Sequence, residues 1–262
     1  MIIAGLFILG LIFGSFINAL VWRIKNKKDW VKDRSICINC KHELQARYLV
    51  PVFSWLWLKG KCAYCKKPIS WHYPAIEVFT GIVFAVSYAA WQDGFSFLGI
   101  VLFILWLKIT ILLVALFLYD IKWMLLPNKL VGPLTLVSVI YVSLKAYAVA
   151  DWLVVVSAIG GAVVLAGIFW ALFEVSRGKW IGGGDVKIAV SLGLLAGSML
   201  NAFLVVFIAS IMGTLIALPM LLSKKAKANT KLPFGPFLII AAMIVFFWGQ
   251  TFIDWYSSLL YF

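Results

Sequence analysis

The chain has 262 residues, 64% of them hydrophobic and only 13% charged, with a mean hydropathy of +1.04 and a formal net charge of +13. Soluble globular chains carry roughly 25% charged residues, so this composition excludes a water-soluble domain, a disordered chain and an ordinary DNA-binding module. The bilayer is its solvent, and the excess of Lys and Arg reads as an orientation signal rather than as a nucleic-acid surface.

A helix crosses the hydrocarbon core in about 20 apolar residues. Eight such windows predict helices over 2–22, 74–92, 97–119, 128–148, 152–174, 186–199, 201–222 and 234–258. The sixth is short for a span and follows Ile181-Gly182-Gly183-Gly184-Asp185, which points to a broken or partly re-entrant helix. The expected fold is an all-α polytopic membrane protein of about eight transmembrane helices. A small cytoplasmic domain lies between helices 1 and 2. Residues 1–22 are the first span, 23–73 the cytoplasmic segment and 74–262 the remaining bundle. A cleaved secretory signal over 1–22 would need a basic start and a small-residue cleavage site, and the sequence has neither there.

With the N-terminus outside, 23–73, 120–127, 175–185 and 223–233 share one side. That side, counting Lys187 one turn into its helix, holds all of the 23 basic residues except Lys108 and Lys145. It includes Lys32, Lys224, Lys225, Lys227 and Lys231, and the positive-inside rule makes it cytoplasmic. Asp93, Asp151 and Asp254 fall toward the other side.

All four cysteines lie in the cytoplasmic segment as Cys37-Ile-Asn-Cys40 and Cys62-Ala-Tyr-Cys65, with 21 residues between the pairs. A CxxC turn aims two thiolates at one point, and two such turns form the tetrahedral sulfur cage of a structural zinc. A segment of this size needs a staple of that kind. Disulfides or free thiols are the competing reading, and a reducing cytoplasm disfavours disulfides. His42 is not needed once four sulfurs close the shell.

Four of the ten acidic residues, Glu77, Asp120, Glu174 and Asp185, lie within or at the cytoplasmic ends of apolar spans. A carboxylate costs about 2.5–3.5 kcal/mol at the bilayer centre and less near the interface, so function is the first hypothesis for each. Asp120 ends the third span in a stretch closed by Leu126-Pro127-Asn128, with Pro127 expected in the first turn of the next helix. Asp185 opens the sixth span behind three glycines, which allow close backbone approach. Two carboxylates at one depth and on one side are the apparatus of aspartic peptidases. Each Asp also has a plain structural reading: Asp185 as an N-cap, and Asp120 as an interfacial carboxylate facing Lys122 or Lys129. No Ser-His or Cys-His pair is comparably placed, since His42 and His72 both belong to the cysteine-bearing segment.

Gly182-x-Gly184-Asp185-Val186-Lys187, with Asp120 seven residues ahead of Pro127, resembles the type IV prepilin peptidases, the GxGD-type intramembrane aspartic proteases. The likeness extends to Gly14-Ser15-Phe16-x-Asn18, Arg23, Pro51-Val-Phe-Ser54-Trp55, Pro68-Ile-Ser70, Tyr73-Pro74-x-x-Glu77 and Pro233-Phe234-Gly235-Pro236. Trp180 and Asn39 depart from the family pattern.

The resemblance implies an endopeptidase that removes the basic leader of prepilins or pseudopilins at the cytoplasmic face of the bacterial plasma membrane. It implies Asp120 and Asp185 as catalytic, set among Gly182, Gly184, Lys187 and Pro127. It also implies N-methylation of the new N-terminus with S-adenosylmethionine, in which Glu77 would take part; a helix-end carboxylate is the alternative for that residue. The helix dipole assigns Asp185, at a helix N-terminus, the role of base, and Asp120, at a C-terminus, that of proton donor. Close approach of a pilin helix or ordinary internal packing would each explain Gly160, Gly161, Gly167 and Gly193, and internal packing is the expectation. The rival functions are a transporter relaying protons or cations through the carboxylates, and a noncatalytic scaffold presenting the cysteine-bearing domain.

Overall fold

The computed structural model describes residues 1–29, 33–222 and 232–260; Lys32, Lys224, Lys225, Lys227 and Lys231 of the basic set lie outside them. The described residues form nine α-helices. They are α1 (Ile2–Lys25), α2 (Phe53–Trp57), α3 (His72–Ala89), α4 (Phe97–Trp123), α5 (Asn128–Val149), α6 (Leu153–Ser176), α7 (Gly183–Ala196), α8 (Met199–Leu222) and α9 (Gly235–Leu260). All eight expected helices are present. The five-residue α2 is additional, too short to show as an apolar window.

Six of these helices, α1, α4, α5, α6, α8 and α9, are long and apolar enough to cross a membrane, against the eight spans expected. The two that fall short do so for visible reasons. α3 has 18 residues and carries His72, Pro74 and Glu77 in its first two turns. α7 has 14 residues, about 21 Å of helix against a hydrocarbon core of about 30 Å.

Two compact units divide the chain, Met1–Trp91 and Gln92–Phe262. In the first, α1 and α3 pack antiparallel at backbone contact. A Cβ on Gly10 would lie 2.7 Å from Gly81 Cα, and one on Gly14 would lie 2.6 Å from Glu77 Cα. One turn further along, the Asn18 side-chain amide donates to the Tyr73 carbonyl at 3.1 Å. Each step of four residues up α1 is matched by four down α3, as expected of helices that meet through small residues. Ile17 and Val21 of α1 and Phe84 of α3 are fully buried, and Phe84 meets the Phe13 ring of α1 with centroids 5.9 Å apart.

In the second unit α6 and α7 use the same device. A Cβ on Gly161 would lie 2.6 Å from the Gly193 carbonyl oxygen, and one on Gly193 would lie 2.5 Å from Ala162 Cα. A Cβ on Gly160 would meet the Met199 side chain at 2.8 Å. These three glycines serve internal packing, while Gly167 faces open space. Trp106 of α4 stacks on Phe246 of α9 with ring centroids 3.7 Å apart. Lys145, one of the two lysines off the basic side, pairs with Asp93 at 3.1 Å, and the Tyr141 hydroxyl donates to the same carboxylate at 3.3 Å.

Candidate functional site

Three helix ends of the second unit converge on one point. α4 ends just beyond Asp120, where Met124 turns into the left-handed region and its N–H closes on the Asp120 carbonyl at 2.8 Å. The chain then runs extended through Pro127, which caps α5 from outside, one residue earlier than the first-turn position expected of it. Asp185 lies in the first turn of α7; the N-cap is Gly182, so Asp185 is not the capping residue. Its own N–H is bound to the Gly182 carbonyl at 3.0 Å.

Gly235, the first residue of α9, stands where the two carboxylates meet. A Cβ built on it would lie 2.5 Å from Asp120 Oδ2 and 3.4 Å from Asp185 Oδ1. The Gly235 N–H donates to the Asp120 carboxylate. Asp120 is 5% exposed and Asp185 half-buried, so the pair is shielded yet open on the Asp185 side. Two carboxylates so placed can share one proton and hold a water between them.

The other expected site residues surround this point. A Cβ on Gly184 would come within 3.1 Å of Leu126 Cβ, so the loop after α4 closes on the start of α7. A Cβ on Gly182 would lie 3.6 Å from Asp185 Oδ2. The Lys187 ammonium donates to Asn128 Oδ1 at 3.1 Å, tying α7 to the first residue of α5. Glu174 is exposed at the end of α6. Gly235 was visible in the sequence only as part of Pro233-Phe234-Gly235-Pro236, with nothing there to say that its missing side chain makes the site.

The cysteines of the first unit form two copies of one knuckle. Cys37 N–H binds the His42 carbonyl and Lys41 N–H binds the Cys37 carbonyl, both at 2.9 Å. Cys62 with Lys67 (2.9 Å) and Lys66 with Cys62 (3.1 Å) repeat the pattern. Lys41 and Lys66 both take positive φ, 61° and 59°, to make the turn. The four sulfurs lie within 4.8 Å of one another, with Cys37 and Cys65 3.9 Å apart. Tetrahedral zinc with Zn–S near 2.3 Å sets its sulfurs roughly 3.8 Å apart, so the donor set fits that ion. Burial pushes the Cys37 thiol up, but N–H groups of Cys40 and Asn39 and the neighbouring thiols more than offset it and lower the thiol to about 7. His42 instead packs on the Tyr64 ring at 3.7 Å.

Glu77 is buried at 7% exposure, and its carboxylate accepts the Val52 N–H at 2.7 Å and the Ser15 side chain. Val52 takes a left-handed φ of 59°, a conformation uncommon for a β-branched residue, and the bond to Glu77 holds the start of α2 there.

Comparison with known proteins places the chain in a class. The bacterial peptidase A24 N-terminal domain matches residues 8–91, and the type IV leader peptidase family matches residues 107–218. A prepilin leader peptidase/N-methyltransferase of Stutzerimonas stutzeri is 33% identical over 93% of this chain and 89% of its own. Proteins of that name from Pseudomonas aeruginosa (strain PAO1) and Legionella pneumophila are 32% and 30% identical, covering 93% and 97% of this chain and 89% and 93% of theirs. No solved structure gives a significant match. The chain belongs to the type IV leader peptidase family, which sets aside the transporter reading.

Proposed function

We propose that this chain is a membrane-embedded aspartic endopeptidase that removes the basic leader from prepilins or pseudopilins and then N-methylates the new N-terminus. One observation carries the peptidase: Asp120 and Asp185, 65 positions apart in the sequence, face the single point left open by Gly235. The relatives' name carries the pairing of cleavage with methylation.

Asp185 sits at the positive end of α7 and acts as the base; Asp120, at the negative end of α4, acts as the acid. Asp185 takes a proton from the water held between them while the oxygen adds to the scissile carbonyl. Asp120 gives its proton to the carbonyl oxygen. Collapse of the tetrahedral adduct breaks the C–N bond, the amine leaves with the proton from Asp185, and Asp120 recovers its own from the hydroxyl. The positive-inside pattern supports a position for this point at the cytoplasmic face of the membrane, where a leader would emerge from the substrate's apolar helix.

In the first unit Cys37, Cys40, Cys62 and Cys65 would hold a structural zinc. S-adenosylmethionine, when bound, would supply an electrophilic methyl group for the freed amine. The same unit carries Glu77 and a cavity beside it. The test is to incubate detergent-solubilised protein with a synthetic prepilin and follow leader loss and methyl addition by mass spectrometry. Uncleaved prepilin with the wild-type protein overturns the peptidase, and cleavage by Asp120→Asn or Asp185→Asn overturns the pair.

A further inference from the structure

The five-residue α2 is built inside out. Its one polar residue, Ser54, is buried and donates to the Val50 carbonyl at 2.7 Å, while Phe53, Leu56 and Trp57 are 63%, 60% and 61% exposed. The Phe53 and Trp57 rings lie 6.4 Å apart. A helix in water turns its apolar side inward, and soluble surfaces rarely carry a contiguous apolar patch without a partner. The patch continues onto α3. Trp55 of α2 and Trp71, itself 72% exposed, line an open groove with Pro74, Val78 and Ile82 of α3.

A hydrogen bond fixes the depth of α2. The Val52 N–H, one residue before α2, donates to the Glu77 carboxylate at 2.7 Å, and the Glu77 backbone packs on Gly14 of α1. Gly14 lies eleven residues, about 16 Å of helix, short of the end of α1 at Lys25. α2 therefore begins alongside the last three turns of a helix long and apolar enough to cross the membrane, and not beyond its end.

The rim of the patch is basic. Gly60 lies against the Trp55 ring, which a Cβ there would meet at 3.0 Å, and exposed Lys59 and Lys61 flank it. Outward aromatic and aliphatic side chains at the level where a span leaves the bilayer, with lysines beside them, are the pattern of an interfacial helix on an anionic leaflet. The basic leader of a prepilin would meet repulsion at this rim, whereas a phospholipid brings both an apolar chain and a negative phosphate.

We propose that α2, Trp71 and the α3 groove form an interfacial anchor that seats the cysteine-bearing segment in the anionic leaflet on the basic side of the membrane, with a phospholipid acyl chain in the groove and its phosphate at Lys59 and Lys61. The segment is then partly embedded in lipid rather than free in the cytoplasm, whichever reactions the chain performs.

The experiment reconstitutes the full chain in nanodiscs that hold equal small amounts of phosphatidylglycerol and phosphatidylcholine, each with a diazirine high on one acyl chain and a distinguishable mass. Adducts formed on irradiation are mapped by mass spectrometry. They are expected at 53–57 and Trp71 as well as along α1 and α4, and at α2 the phosphatidylglycerol adducts are in excess. The double variant Lys59→Glu, Lys61→Glu lowers that excess by about fivefold or more, since one lysine near an anionic surface is worth about that factor. Its adducts along α4 and its unfolding temperature stay at the wild-type values. Adducts confined to α1 and the helices of the second unit, with 53–57 and Trp71 clear, overturn the anchor. Equal labelling of α2 by the two lipids, or an excess that survives the charge reversal, overturns the phosphate site. Loss of the α2 adducts on saturation with a synthetic prepilin gives this face to the substrate's helix and overturns the proposal as well.

Discussion

Gly235 leaves vacant a position 2.5 Å from Asp120 Oδ2, closer than any side-chain carbon can sit. Gly235 is the first residue of α9 and its φ is not left-handed, so alanine suits its backbone. The harm of Gly235→Ala therefore falls on the carboxylates. We expect leader cleavage to drop about 100-fold, the scale of a 1 Å misplacement, with little change in thermal unfolding. Cleavage near the wild-type rate would show that the space beside Asp120 is not used.

Substituting the aspartates tests the chemistry directly. Asp120→Asn and Asp185→Asn are near-isosteric, and each removes a proton acceptor or donor. Loss of general acid–base catalysis costs about 10²–10⁴-fold in rate. Glu174→Gln is the control, since that side chain is exposed at the end of α6. Its cleavage rate should match the wild type in a single-turnover assay.

How much of this was legible in the sequence differs from residue to residue. The eight apolar windows located their helices to within a few residues, because a membrane span is a composition signal that needs no partner. Asp120 and Asp185 could be proposed from helix-end placement and loop glycines, since both depend on local chain chemistry. Gly235 could not be singled out, because its role is an absence of atoms at a point defined by two other helices. The contact of Asn18 with Tyr73 was hidden for the same reason: it emerges only when α1 and α3 are in register. α3 and α7 fall short of the length and hydropathy of a membrane span because of the polar first turns of α3 and the brevity of α7, and the second of these was already visible in the sequence.

The sulfur cage predicts one zinc per chain in purified protein, measured by elemental analysis. Cys62 is 2% exposed, and Cys62→Ser replaces a thiolate ligand by a poor one inside a buried knuckle. We expect the variant to keep less than about a tenth of its metal. The Trp55 fluorescence should shift too, because that ring packs beside Gly60, just before the second CxxC, and its Nε1 donates to the Ile69 carbonyl at 3.1 Å. Full zinc occupancy in Cys62→Ser would mean that the metal is held elsewhere.

The α6 and α7 seam offers a paired test in which the same residue type gives opposite results. At Gly193 a Cβ would fall 2.5 Å from Ala162 Cα. Because the obstacle is backbone, the two helices must move apart. Gly193→Val should lower stability by about 1–3 kcal/mol, as overpacking does, read as a lower unfolding temperature in detergent. Since α7 also carries Asp185, cleavage should fall as well. At Gly167 on the same α6 a Cβ meets nothing within 4 Å. Gly167→Ala removes the conformational freedom of a mid-helix glycine and should be neutral or stabilising by up to about 1 kcal/mol, with cleavage unchanged. If both substitutions behaved alike, α6 and α7 would not meet through Gly193, and the helix that presents Asp185 would be positioned by some other contact.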